Sequence, residues 1–335
     1  MERRPPPKTR RWTWRSQAFR GVVYQVVALL LLAAAAGLLL NNTLENMRAR
    51  GIKSGFDFVT EPAGFAIGES LIPFDSADSY GKAYAVGLAN TLRVAVVGIV
   101  AATLLGTAVG IGKLSRNTLV RALCSAYVEV TRNVPLLLQL FMWYFALTEL
   151  LPPIEDALQP LPGFFFSKNG LQFPLLSWEG GFHLDWPEKT EITVNGGGAV
   201  TPEYLTVLVG LAVYTSGYIA EVVRAGIQSV PIGQHEACAS LGLTRWQALR
   251  LVQLPQALRV IIPPLTSQYL NLTKNSSLAV AVGYPDLFSI SATALNQTGR
   301  AIECIAIVMA CYLTLSLLTS ALMGVYNRRA RLKER

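Results

Sequence analysis

The sequence predicts an all-α, polytopic membrane protein with about six transmembrane helices, and three observations carry that prediction. Only 15% of the 335 residues are charged and 52% are hydrophobic, whereas soluble domains average roughly 25% charged. Residues 21–40 contain no charge, and a helix of that length spans about 30 Å, the thickness of a bilayer core. Both ends are basic. Residues 1–20 hold Arg3, Arg4, Lys8, Arg10, Arg11, Arg15 and Arg20 against Glu2, and residues 328–335 hold Arg328, Arg329, Arg331, Lys333 and Arg335 against Glu334. Bases this close to apolar segments mark cytoplasmic ends. Because both tails flank apolar segments directly, a nucleic-acid partner is set aside.

The first span, 21–40, is read as a retained helix, since NNTLENMRAR after it offers no small-residue cleavage site. A mixed hydrophilic segment continues up to residue 81 and is expected on the outer side. The second span covers about 82–112, where Gly106 and Gly110 form a small-xxx-small packing face. Its end, GIGKLSRN, fails as a phosphate-binding loop, because Thr107 and Leu114 stand where glycine and a hydroxyl residue are required. Lys113, Arg116 and Arg121 make the next turn basic. Residues 122–150 are interrupted at Arg132-Asn133-Val134-Pro135, since proline disfavours helix before it and removes a donor. A surface helix, a break and a span over 134–151 are expected there. Arg132 is either a buried anchor or a snorkelling base. Arg93, inside an apolar span, requires a partner that the sequence does not name.

Residues 151–202 form a long acidic loop with Glu155, Asp156, Glu179, Asp185, Glu188 and Glu191 against Lys168 and Lys189. Its proline, glycine and aromatic content predicts ordered irregular structure on the outer side. Further spans lie at about 203–229, 260–283 and 301–326. An even number of crossings returns the carboxyl terminus to the side of the amino terminus, where its bases also place it. Cys124, Cys238, Cys304 and Cys311 form no metal or disulfide pattern. His183 and His235 lie apart, and no metalloprotease, nucleophile-elbow or paired-carboxylate motif occurs.

The stretch 226–255, GIQSVPIGQHEACASLGLTRWQALRLVQLP, carries the most information. Pro231 and Gly233 break the preceding helix. Residues 234–241 form about two helical turns, and Gly242 supplies a left-handed stop. Thr244 with Gln247 is a capping-box pattern for a second helix up to about Leu254. Pro255 and Pro263-Pro264 then limit helix beyond that point. Ala237, Ala239 and Ser240 keep the first helix thin enough for a partner's groove, and Glu236 near its start suits the helix dipole. From physics alone, an amphipathic loop resting on lipid headgroups serves equally well.

Residues 266–277, TSQYLNLTKNSS, are too polar for a lipid-facing helix. Thr266, Tyr269 and Thr273 share a face that Ser276 or Ser277 extends. With Lys274 and Asn275 they line a path for a polar solute, or they hold the bundle together by interhelical hydrogen bonds. Lys274 either meets a carboxylate or pairs with Glu221 or another acid. Tyr214, Tyr218, Glu221 and Arg224 share one helical face, and Glu221 with Arg224 is expected as a local structural ion pair.

The stretch 230–256 resembles the coupling loop of an ABC importer permease, whose pattern is E-A-A, a glycine, then a hydrophobic-x-Leu-Pro ending. The matching residues are Glu236, Ala237, Gly242, Leu254 and Pro255, with Gly233 ahead of them. Cys238 replaces the second alanine, a small-for-small change. AEVVRAGIQSVPIGQHEA, VPLLLQLFMWYFAL and LPQALRVIIPPLTSQYLNLTKNSSLAVAVG resemble the polar amino acid (histidine/glutamine/arginine) subfamily, and KNSSL with the extra first span resembles the general L-amino acid permeases. The resemblance covers about 82–335, and loosely 21–81.

It implies a type I ABC importer permease core over 82–327, with an outer-side loop at 151–202, after a basic tail (1–20) and an extra helix with an outer segment (21–81), and before a second basic tail (328–335). It implies a multi-pass inner-membrane subunit with no cofactor of its own. ATP and Mg would be held by an ABC ATPase dimer. A second homologous permease and an outer-side binding protein would complete the importer, and the cargo would be polar L-amino acids. Relatives that carry basic amino acids often have Asp at the position of Asn275. Another small polar solute is the neighbouring alternative. An ion-coupled secondary transporter is the alternative of a different class, although no inverted repeat is evident.

Overall fold

Residues 16–49, 51, 54–177, 182–190 and 193–330 are described by a computed structural model. Most of the two basic tails, and Glu179 and Glu191 of the acidic loop, lie outside the described residues. The chain divides into two units, Met1–Gly55 and Phe56–Arg335. The first consists of helix α1, Gln17–Ala49. It runs past the expected end at residue 40 because its polar tail makes helix-spaced contacts. Asn41 Nδ2 donates to Glu45 Oε1 at 2.9 Å and Asn46 Nδ2 to Asn42 Oδ1 at 3.3 Å. Its middle is an unbroken apolar run long enough to cross a bilayer.

The second unit opens with an extended segment around a short turn, Asp57–Thr60. Phe58 is fully buried, edge-on to Tyr80 with ring centroids 5.6 Å apart. Asp57 pairs with Arg300 at the far end of the chain. Helix α2, Tyr80–Gly112, starts at a Ser79 cap that accepts from Lys82 N at 3.3 Å. Helix α5, Pro202–Gln228, starts at a Thr201 cap. These two helices pack along each other as the spine of the core. The small-residue face makes that approach possible. A β-carbon on Gly106 would lie 2.7 Å from Ile219 Cβ, and one on Gly110 only 2.6 Å from the Ala220 carbonyl.

Helix α3, Thr118–Asn133, and helix α4, Leu136–Glu149, flank the expected break. Gln139 Nε2 donates to the carbonyls of Thr131 at 2.8 Å and Val134 at 3.0 Å. The break's exposed acceptors are therefore satisfied inside the protein, as a membrane interior requires. The span expected at 134–151 is shorter than that: fourteen residues in α4 give about 21 Å, and α3 continues the chain on the other side of the break.

The described residues of 158–200 are not irregular but largely short antiparallel strands and the turns between them. β1 (Leu158–Leu161), β2 (Phe164–Ser167) and β3 (Gly170–Phe173) form a meander. Two small hairpins come next, β4 (Leu175–Ser177) with β5 (His183–Asp185), and β6 (Glu188–Lys189) with β7 (Val194–Asn195). β8 (Gly198–Val200) closes the main sheet in the order β1-β2-β3-β8.

After α5 come α6 (Ile232–Ser240), α7 (Arg245–Ala248), a π-helical turn (Leu249–Gln253) and α8 (Leu254–Asn275). Pro255, Pro263 and Pro264 do not end this run. Pro255 lies in the first turn of α8, and the π turn surrounds the carbonyl of Leu251, which the proline ring would otherwise crowd. A 3₁₀ segment (Ser276–Val282) then leads through Gly283 to α9 (Leu287–Thr298), capped by Asp286, and to α10 (Ala301–Ala330). Among the described residues four helices, α1, α2, α5 and α10, are long and apolar enough to cross a membrane. The run Arg245–Val282 with α9, bent by 52°, makes a fifth element, and the short apolar α4 makes a sixth.

Candidate coupling surface and transport path

The polar stretch after α5 folds as helix, turn, helix. Gly242 takes φ +71°, and Leu243 N donates back to the Cys238 carbonyl at 3.0 Å, which closes α6. Thr244 and Gln247 then form a complete capping box, Gln247 N donating to Thr244 Oγ1 at 3.3 Å and Thr244 N to Gln247 Oε1 at 2.9 Å.

Gly233, Glu236 and Ala237 are exposed on α6. Among the described residues the Glu236 carboxylate has no ion-pair partner. Ile232, Leu241 and Trp246 are 77%, 78% and 66% exposed. Large apolar side chains held out beside a carboxylate form a surface suited to a partner protein. Cys238 points the other way and is buried beside a cavity of about 410 Å³ lined by Arg116, Leu243 and Arg245. Leu254 and Pro255 lie apart from α6, at the root of α8. Leu254 there lines an apolar cavity of about 320 Å³ with Ile111, Ile227 and Val230. The stretch therefore presents α6 outward and rests its other end on the ends of α2 and α5.

The polar residues of α8 sit in two settings. Thr273 and Ser276 are buried, and their hydroxyls donate to the carbonyls of Tyr269 at 2.9 Å and Thr273 at 2.8 Å. Thr266 Oγ1 does the same toward Ile262 at 3.2 Å. Tyr269 Oη meets Thr103 Oγ1 of α2 at 2.9 Å. Lys274 is exposed and Asn275 half-buried, and the structure does not bring them together with the hydroxyl row. Lys274 does not pair with Glu221. That carboxylate binds Arg224, Nε to Oε2 at 2.9 Å, together with Lys113 from the end of α2.

Lys113 is not identifiable from the sequence as Glu221's partner. Its signal is a lone lysine closing an apolar helix. It ends α2 within helical geometry, so GIGK forms no phosphate cradle. Arg93 receives its partners in the same way. It pairs with Glu69 and lies over the Tyr204 ring at 4.1 Å, while Glu69 Oε2 accepts from Thr201 Oγ1 at 2.5 Å. A recess missed by sequence reasoning lies between α3 and α5. It measures about 380 Å³ and is lined by Lys113, Glu129, Arg132, Asn133, Tyr218 and Glu221.

Residues 95–332 match the family described as binding-protein-dependent transport system inner membrane component. The chain is 42% identical to the putative amino-acid ABC transporter permease protein YhdX of Escherichia coli (strain K12), over 94% of this chain and 95% of that one. It is 38% identical to the general L-amino acid transport system permease protein AapQ of Rhizobium johnstonii, over 97% of this chain and 96% of that one. Among solved structures it resembles an amino acid ABC transporter crystallised with histidines, at 26% identity and a TM-score of 0.55, covering 75% of this chain and 95% of that one.

Proposed function

This chain belongs to the family of binding-protein-dependent transport system inner membrane components, and from that membership we propose that it is the permease subunit of an ABC importer for polar L-amino acids. The observation that carries the proposal is the exposed helix α6, whose Glu236 has no ion-pair partner among the described residues, in a capped helix–turn–helix that also holds out Ile232, Leu241 and Trp246.

On this reading the coupling surface comprises Gly233, Glu236 and Ala237, turned at Gly242 and rooted at Leu254 and Pro255. A cytoplasmic ATPase dimer holds ATP and Mg and grips α6. Both termini lie on the ATPase side of the inner membrane, where the basic tails favour them. A second, homologous permease forms the other wall of the path, and an outer-side binding protein delivers cargo. The core, from residue 82 to 327, moves as the transporting unit.

Closure of the ATPases displaces α6. The displacement passes through the π turn and α8 because helix continues without a break across Pro255 and Pro263-Pro264. The polar end of α8, with Thr266, Tyr269, Thr273, Lys274, Asn275 and Ser276, is thereby shifted against α2 and α5. This is alternating access driven from outside the chain.

The test is uptake by the complex reconstituted with its ATPases, second permease and binding protein, using a panel of labelled amino acids. Accumulation that requires both ATP and binding protein is expected. Uphill accumulation by the permease chains without ATPases, driven by an ion gradient, would overturn the proposal.

A further inference from the structure

We propose that the recess between α3 and α5 is a zwitterion subsite on the transport path, with Arg132 and Asn133 receiving the α-carboxylate of a passing amino acid and Glu129 its α-ammonium. The proposal rests on the permease reading above and names the residues that would meet the cargo's backbone charges.

Depth comes first. Arg132 lies fourteen residues beyond Thr118, the start of α3, or about 21 Å along the helix. Tyr218 lies ten residues from the last residue of α5 and sixteen from its first, about 15 and 24 Å. The recess thus lies beside α5 toward the end of the spanning helix α2, whose closing Lys113 also lines it. Charged groups beside spanning helices face a bundle interior or a water-filled path.

Exposure comes second. Glu129, Arg132 and Asn133 are all exposed on this chain, so its own bundle does not cover them. Lipid is an unfavourable cover for an exposed arginine and glutamate beside a spanning helix. A water-filled path shared with another subunit satisfies both observations.

The balance of charge comes third. Lys113 is neutralised by Glu221, which also binds Arg224. That leaves one cation, one anion and one amide. Glu129 and Arg132 are helix-spaced neighbours, yet among the described residues no ion pair joins them. Arg132 lies 5.1 Å above the Tyr218 ring, a contact that fixes the guanidinium through its face and leaves its N–H groups available. A carboxylate accepts such a fork bidentately. The backbone acceptors of the break are already taken by Gln139, so Arg132 and Asn133 are not needed there. A volume of about 380 Å³ is in the range of small-molecule sites.

The experiment compares Arg132→Gln, Arg132→Lys and Glu129→Gln with the unaltered complex in proteoliposomes. Uptake of labelled L-glutamine, basal ATP hydrolysis and recovery of assembled complex are measured together. Arg132→Gln and Glu129→Gln are expected to raise the uptake KM at least tenfold while assembly and basal ATP hydrolysis persist. Arg132→Lys, which keeps the charge and loses the fork, is expected to fall between. Unchanged KM and Vmax in all three variants would overturn the subsite. So would loss of assembly in both Arg132 variants with an unaltered KM in Glu129→Gln, since that pattern marks a structural contact between subunits. Absence of ATP-dependent amino acid uptake by the unaltered complex would instead overturn the permease reading itself.

Discussion

Glu221 shows how much one side chain holds together in this chain. Its two carboxylate oxygens are divided between Lys113 at the end of α2 and Arg224 on its own helix, and both Lys113 and Glu221 are largely shielded from solvent. Removing one member of a partly buried, hydrogen-bonded ion pair leaves the other uncompensated, at about 1–3 kcal/mol, less than for a fully buried pair. Glu221→Gln is therefore expected to destabilise the purified chain by roughly that amount, read as a fall in its thermal midpoint in detergent. Adding Lys113→Met should recover a large part of the loss, because the stranded cation is removed. Equal destabilisation by the single and double variants would show that the pair is not coupled. The sequence shows Glu221 with Arg224 three residues on, because helix spacing alone brings them together. It cannot show Lys113, which is 108 residues distant and meets Glu221 only after α2 and α5 dock. Arg93 and Glu69 obey the same rule: the requirement for a partner is legible, and the partner's identity is not.

At the scale of elements, local chemistry is the legible part. The left-handed glycine at 242, the capping box at Thr244 and Gln247, and the break before Pro135 all depend on a few neighbouring residues, and each is where the sequence places it. The prolines of α8 mislead because a proline's effect depends on what surrounds the carbonyl four residues before it. A π turn relieves Pro255. The strands at 158–200 escape a sequence reading because none exceeds four residues, too few to reveal an alternating pattern. The hydroxyl row of α8 is legible as one face, but the sequence cannot say that three of those hydroxyls bond to their own helix. The α3–α4 break gives a sharp test at this scale. Gln139→Leu removes both donors to the Thr131 and Val134 carbonyls. A loss of about 1–3 kcal/mol per stranded acceptor is expected, seen as a lowered thermal midpoint and faster amide exchange confined to residues near the break. An unchanged midpoint would mean that the break is satisfied in some other way.

For the whole molecule, the apolar runs, the basic ends and the stretch at 226–255 are enough to indicate a multi-pass helical protein with a partner-facing surface. The inner-membrane transport family bears out the multi-pass helical protein. The proposed path is less legible, because its walls would come from elements far apart in sequence and, on that proposal, from a second chain. The central claim is that α6 transmits a partner's work into the membrane core. Measuring uptake and binding-protein-stimulated ATP hydrolysis together in the reconstituted Glu236→Lys complex tests it most directly. Reversing an exposed charge on α6, unpaired among the described residues, should leave the chain folded and inserted. The account predicts that amino acid uptake falls at least tenfold and that the binding protein no longer stimulates ATP hydrolysis. Uptake and stimulation both at the unaltered level would contradict it.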